Sequence, residues 1–305
     1  MRHLLSLQDW SAAEVNELLD LAELVRREPA RYRSALDGKA LGLIFLKSST
    51  RTRVSFEVAI RQLGGYAIFL SGSDTQLGRG EPLADTARVL SRYLDLLMAR
   101  LFGHQDIVEL ARHSTIPVIN GLTDRFHPCQ ALADVLTLRQ CFGELRGRKL
   151  AYIGDGNNVA HSLLLAAART GLDIAVASPP GYRVDPEVLE EARRGAAETG
   201  ATIEDIEDPA AAARGASALY TDVWTSMGQE KEQAERLRAF EGYKVDASLM
   251  SLATSDAVFL HCLPCHRGEE VSAEVVDGPQ SRVFEQAENR LHAQKAVMLR
   301  VMGVA

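Results

Sequence analysis

"LGLIFLKSSTRTRVSFEVAIRQLGG" (residues 41–65) is an apolar run, then two serines and Thr-Arg-Thr-Arg, then a helical pattern. A strand that enters a helix through a short polar turn is half of a βαβ unit. The alternation repeats. "YAIFLS" (66–71) leads through a glycine-rich loop into "PLADTARVLSRYL", "LDLLMAR" (94–100) into "QDIVELARH", and "IPVING" (116–121) into "HPCQALADVLTLRQCFG". A second series follows: "KLAYIGD" (149–155), "LDIAVASP" (172–179), "ATIEDI" (201–206), "ALYTDVW" (218–224) and "AVFLHCLP" (257–264). Strands separated by helices pair in parallel through crossovers, so two series predict an α/β fold with two doubly wound parallel-sheet domains. The stretch from about Gln130 to Phe142 reads as the helix joining them, and "GELRGRKL" as the start of the second. "ENRLHAQKAVMLRVMGVA" reads as a final helix.

The 305 residues suffice for two domains of ordinary size. The formal net charge of −7 argues against a broad nucleic-acid-binding face, so the arginines of 51–53 serve something local. No stretch reaches the roughly 18 apolar residues of a membrane helix. The start, "MRHLLSLQDWSAAEV", is too short in apolar residues for a signal peptide, and Ser11 with Glu14 fits a capping box; mature cytoplasmic sequence is expected. Cys129, Cys141, Cys262 and Cys265 read as free thiols.

In open α/β sheets, functional residues lie at the carboxyl ends of strands, and each unusual cluster of this chain falls there. "SSTRTR" joins a helix N-terminus, which attracts anions, to the hydroxyls of Ser49, Thr50 and Thr52 and the planar donor fork of Arg51. It lacks the Walker pattern. Arg53 has a simpler use, because Glu57 lies four residues on. In "FHPCQALAD", His127 and Gln130 are three apart at a helix start, placed to donate to one carbonyl oxygen or else to cap and fill a core. Gly154-x-Gly156 in "GDGNN" is only part of a dinucleotide fingerprint, and the next strand ends at Ser178 rather than an acid. "HCLPCH" invites a zinc or redox reading, but no second cysteine knuckle exists. Cys262 and Asp222, both at strand ends, are better placed to meet and contact a cationic amine.

Together "STRTR", "HPCQ", "DVWTSMGQE" and "HCLP" resemble the motifs of the aspartate/ornithine carbamoyltransferase superfamily, the last two those of its ornithine branch. The similarity covers essentially the whole chain, including "DTARVLSRY", "GDGNN" and "AENR". Cys265 stands where many relatives have arginine. The resemblance implies an active site in the cleft between two domains: 1–132, carbamoyl-phosphate-binding, with helix 291–305 packing back on it, and 133–290, ornithine-binding. It implies that Ser49, Thr50, Arg51 and Thr52 bind carbamoyl phosphate with Arg100, His127, Gln130, Cys262, Leu263 and Arg290. Gln76 would reach a neighbour's site in a trimer or an assembly of trimers. Asn158, Asp222, Ser226 and Met227 would hold ornithine. Arg100, His127, Gln130, Asp222 and Cys262 would be catalytic.

The implied reaction moves the carbamoyl group from carbamoyl phosphate to the δ-amine of L-ornithine, giving L-citrulline and phosphate. It needs no metal or organic cofactor and no nucleic-acid or membrane partner. Rival readings are a carbamoyltransferase for N-acetylornithine or putrescine, a nucleotide-dependent oxidoreductase built on "GDGNN", and a non-catalytic relative. "DVWTSMG" and "HCLP" favour free ornithine.

Overall fold

The structure, a computed structural model, describes residues 2–73, 75–225 and 230–305. The chain divides into two compact units, with boundaries between Leu132 and Ala133 and between Asn289 and Arg290. The short segment Ser11–Ala13 groups with the second unit.

The first unit runs α1 (Ala12–Arg27), α2 (Pro29–Tyr32), β1 (Ala40–Phe45), α3 (Thr50–Gln62), β2 (Tyr66–Ser71), α4 (Leu83–Leu90), β3 (Leu96–Arg100), α5 (His104–His113), β4 (Val118–Leu122) and the start of α6 (Pro128–Phe142). Its four strands are parallel, in the order β2-β1-β3-β4. β1 is buried throughout, as a central parallel strand covered on both faces must be. The edge strand β2 is mostly half-exposed. The chain winds outward from β1 in both directions, so the crevice at the carboxyl ends of β1 and β3 is the switch point where such sheets bind ligands. "SSTRTR" follows β1, and Arg100 is the last residue of β3.

The second unit contains β5 (Lys149–Ile153), α7 (Asn158–Thr170), β6 (Asp173–Ala177), α8 (Pro186–Thr199), β7 (Ile203–Ile206), α9 (Pro209–Ala213), β8 (Ala218–Thr221), α10 (Gln233–Ala239), α11 (Ala247–Met250), β9 (Val258–His261) and α12 (Ala273–Val276). The sheet order is β7-β6-β5-β8-β9, again all parallel. Its switch point lies between β5 and β8. "GDGNN" follows the first and Asp222 the second. α13 (Val283–Val301) begins earlier than the tail pattern predicts and has residues in both units, as does α6.

Each predicted strand forms, but several stop short of the residues at which the apolar pattern ends. β8 ends at Thr221 rather than Trp224, because the Asp222 carboxylate takes the Val223 N–H at 2.8 Å and Arg236 takes the Trp224 carbonyl at 2.9 Å. β9 ends at His261 rather than Pro264, because the His261 ring accepts the Leu263 N–H at 2.9 Å. β3 starts at Leu96 because the Asp95 carboxylate accepts from the Ala40 N–H at 2.9 Å and Lys39 at 2.8 Å.

The two glycines of "GDGNN" serve the backbone. Gly154 has φ 149°, and the Gly156 N–H donates to the Tyr182 carbonyl at 2.8 Å. A Cβ on Gly156 would come within 2.4 Å of the backbone at Arg183 and Val184. That close approach accounts for the glycine without a dinucleotide. Gly156→Ala is therefore expected to destabilise the second unit by about 1–3 kcal/mol, the usual scale of overpacking, measured by denaturant unfolding.

Candidate active site

The first half-site is built on two helix starts. Ser49 caps α3, its Oγ accepting the Thr52 N–H at 3.3 Å. The N–H groups of Thr50 and Arg51 have no acceptor within a helix that begins there. Thr50 and Arg51 are exposed, and Thr52 is buried. A hollow of about 600 Å³ opens here, lined by Ser48, Ser49, Thr50 and Arg53 with Ser71, Gly72 and Ser73. Arg53 rather than Arg51 lines it, but Arg53 is occupied: its Nε bonds Glu57 at 2.9 Å and its guanidinium lies 3.6 Å from the Phe69 ring centre. The simpler reading of Arg53 is the observed one. Arg51 makes no ion pair with any described residue.

α6 starts with Pro128 at its first position, where the missing N–H costs nothing. His127, just before it, and Gln130, in its first turn, are buried. Arg290 of α13 donates to Gln130 Oε1 at 2.6 Å and to Thr52 Oγ1 at 3.2 Å. The first bond fixes the amide: oxygen towards Arg290, NH₂ away from it. Arg100 is buried at the end of β3, where the β3–β4 register shifts. Burial pushes the His127 pKa well below the ordinary histidine value, and the charges of Arg290 and Arg100 push it further the same way. His127 is thus a neutral imidazole, able to donate one hydrogen bond. Thr52, Arg100, His127, Gln130 and Arg290 form one buried, donor-rich group in the first unit.

The second half-site gathers at the ends of β5, β8 and β9. The Cys262 thiol donates to Asp222 Oδ1 at 3.0 Å, and Asn157 Nδ2 donates to Asp222 Oδ2 at 3.1 Å. Asn157 also caps α7, its Oδ1 accepting the N–H groups of Val159 and Ala160. Asn158 follows as the first, half-buried residue of that helix. The thiol–carboxylate meeting expected from strand-end placement is present. A carboxylate held by a thiol and an amide, with Asn157, Asn158 and Cys262 only half-buried beside it, suits a cationic amine.

His261 organises the loop after β9. Its Nδ1 accepts the Leu263 N–H, so the ring proton sits on Nε2, which donates to buried Glu270 at 3.2 Å. Glu270 Oε1 also accepts the His266 N–H at 2.6 Å, and Gln286 accepts the His261 N–H at 2.9 Å. This network holds Leu263 at φ 58°, a region uncommon for a branched side chain. Potential ligand atoms of Asp222, His261 and Cys262 lie within 4.8 Å of one another. Both nitrogens of His261 are nevertheless occupied, one by an N–H and one by a carboxylate, which favours the amine reading over a metal.

Sequence reasoning missed Arg236, which sits in an unremarkable charged helix. It is buried and bonds Asp155 at 2.7 Å, the Trp224 carbonyl at 2.9 Å and Glu232 at 3.0 Å, with its guanidinium 4.9 Å from the Tyr182 ring centre. It braces the segment leading towards Ser226 and Met227. Those two expected ornithine contacts lie outside the described residues. Gln76 opens an exposed 3₁₀ turn, Gln76–Arg79. Cys129, expected only as a thiol, is buried, and its pKa is pushed up to about 12 by that burial.

Two parallel α/β sheets, each carrying a polar cluster at its switch point, define a protein of two α/β domains. The family described as "Aspartate/ornithine carbamoyltransferase, carbamoyl-P binding domain" matches residues 2–140, and that described as "Aspartate/ornithine carbamoyltransferase, Asp/Orn binding domain" matches residues 146–301. The chain belongs to the aspartate/ornithine carbamoyltransferase family. It is 57% identical over 304 residues to the ornithine carbamoyltransferase of Symbiobacterium thermophilum, covering 99% of this chain and 98% of that protein. The structure of ornithine carbamoyltransferase from Pyrococcus furiosus superposes with a TM-score of 0.95 at 52% identity, covering 99% of this chain and 97% of that one. An acetylornithine transcarbamylase complexed with acetylcitrulline superposes at 0.89 with 34% identity, covering 99% of each chain.

The His127 ring is expected to stay neutral across pH 5 to 8. Its ring resonances, followed by NMR, should not shift over that range. The sign for stability follows: a histidine harder to protonate when folded contributes stability above its unfolded pKa of about 6.5 that is lost as pH falls below it.

Proposed function

We infer that the chain transfers the carbamoyl group of carbamoyl phosphate to the δ-amine of L-ornithine, giving L-citrulline and phosphate. The observation that carries this reading is the pairing of a neutral, buried histidine with two buried arginines beside a capped helix start. A phosphate needs cations and helix N–H groups; a carbamoyl oxygen needs uncharged or cationic donors; this group offers both. The fold does not choose the acceptor, since the acetylornithine enzyme shares it. The identity to ornithine carbamoyltransferases along the full chain supports free ornithine, as does the Cys262–Asp222 contact.

Ser49, Thr50, Arg51, Thr52 and Arg290 hold the phosphate. Arg100, His127, Gln130 and Thr52 donate to the carbonyl oxygen as it gains charge, an effect worth roughly 3–4 kcal/mol for a well-placed donor. The δ-amine lone pair attacks the carbamoyl carbon, the bond from that carbon to the phosphate oxygen breaks, and the amine's proton leaves with the phosphate. The attacking amine must be neutral, although a free alkylamine has a pKa of about 10.4. The cations that hold the phosphate favour its neutral form. Asp222 and Cys262 orient ornithine, with Asn158, Ser226 and Met227 completing its contacts and Leu263 contributing from the His261 loop.

The units serve the two substrates in turn, the first carbamoyl phosphate and the second ornithine. The enzyme works in the cytoplasm as a trimer or an assembly of trimers, Gln76 entering a neighbour's site; the exposure of Gln76 supports that placement. The physiological direction is biosynthetic, and relatives named anabolic support it. Arg51→Gly removes a charge-assisted phosphate contact without touching the core. It is expected to weaken carbamoyl-phosphate binding by about ten- to a hundredfold, the scale of a lost hydrogen bond to a charged group, with unchanged thermal unfolding. Titration calorimetry with carbamoyl phosphate tests the reading; wild-type affinity in the variant removes Arg51 from the site.

A further inference from the structure

A second hollow of about 640 Å³ lies in the first unit, lined in part by the ends of α1 and α3 and by α13. Arg33, Arg61 and Lys295 line it, against one carboxylate, Asp37; Ser34 and Gln62 add neutral hydrogen-bonding groups. Lys295 is the unusual member. It is 3% exposed yet makes no hydrogen bond or ion pair with a described residue, and Arg33 and Arg61 make none either. Several other basic groups of this unit have an acidic partner: Arg53 has Glu57, Lys39 has Asp95 and Arg300 has Glu17.

Most of Lys295 is buried with no counter-charge beside it, and burial holds its pKa below the ordinary lysine value. Its stem is buried while its head belongs to a cavity whose rim is cationic. That is the arrangement expected where a ligand brings the missing negative charge. The hollow is also separate from the phosphate half-site. α3 carries Ser49 and Thr52 at its start and Arg61 at its end; α13 carries Arg290 and, five residues on, Lys295. Two continuous helices thus join one cationic site to the other.

We propose that the hollow floored by Lys295 and rimmed by Arg33 and Arg61 is a second anion-binding site, taking a compact ligand with two or more negative charges, a phosphate or a dicarboxylate. The ammonium takes the buried end of the ligand and the two guanidinium groups its outer oxygens. Ligands without negative charge are excluded, because they would leave Lys295 as it is.

Equilibrium dialysis of the intact protein tests this, with labelled inorganic phosphate in one arm and labelled succinate in the other. Wild-type protein should bind two phosphates per chain. Lys295→Met, which keeps the volume and removes the charge, should weaken one of them tenfold or more and melt no lower than wild type. Arg33→Gln, on the exposed rim, should weaken the same site with no risk to the fold. Arg51→Gly should remove the other phosphate and leave this one, so failure of the carbamoyl-phosphate reading shows up separately. Succinate bound in a Lys295-dependent way assigns the site to dianions generally; phosphate alone assigns it to phosphates. A single phosphate per chain, untouched by Lys295→Met and Arg33→Gln, overturns the proposal.

Discussion

A guanidinium at 7% exposure must be met by acceptors on a fixed geometry, and for Arg290 two of these are Gln130 and Thr52. Those bonds tie the starts of α3 and α6 to the middle of α13, which lies 160 residues along the chain from Gln130 and 238 from Thr52. Neither partner is an acid, so neither cancels the charge. The consequences propagate: Gln130 is turned so that its amide faces away from the arginine, and Thr52 accepts from the arginine and so keeps its own proton to give. His127 is held neutral by burial and by the same cation. A lysine in place of Arg290 would supply the charge but not the two fixed bonds.

The second unit solves the opposite problem. Asp222, an acid rather than a base, sits nearly buried just past the end of β8. Three donors surround it: the Cys262 thiol, the Asn157 amide and the Val223 N–H. Around them stand two braces, the Arg236–Asp155 pair behind β8 and the His261–Glu270 pair behind β9. Both braces are buried polar pairs, strong only because nearly every atom is bonded in a place water does not reach.

Much of this was legible in the sequence. Apolar runs alternating with amphipathic stretches sufficed for the parallel sheets, and the strand-end rule located both polar clusters. The failures are as informative. The strand pattern overran at Asp222, Trp224 and Leu263, because there side chains take backbone hydrogen bonds that would otherwise belong to the sheet. Apolar patterning does not encode that competition. The Asn157–Asp222 bond was not foreseen, although the role of Asn157 as a helix cap was an available signal. Arg236 gave no sign of its burial, since its partners Asp155 and Trp224 come from the segments after β5 and β8. Lys295 looked like any helix lysine, and only burial sets it apart.

The direct test of the central claim is the fate of the carbamoyl carbon. Carbamoyl phosphate labelled with ¹³C at that carbon is mixed with the protein and equal amounts of ornithine, N-acetylornithine and putrescine, and the products are followed by NMR. The two half-sites described here predict that the label appears in the ureido group of citrulline, with phosphate released in equal amount. Label carried into either of the other amines would contradict the reading of the Asp222–Cys262 site. Label lost to hydrolysis, with no amine modified, would contradict the reading of both.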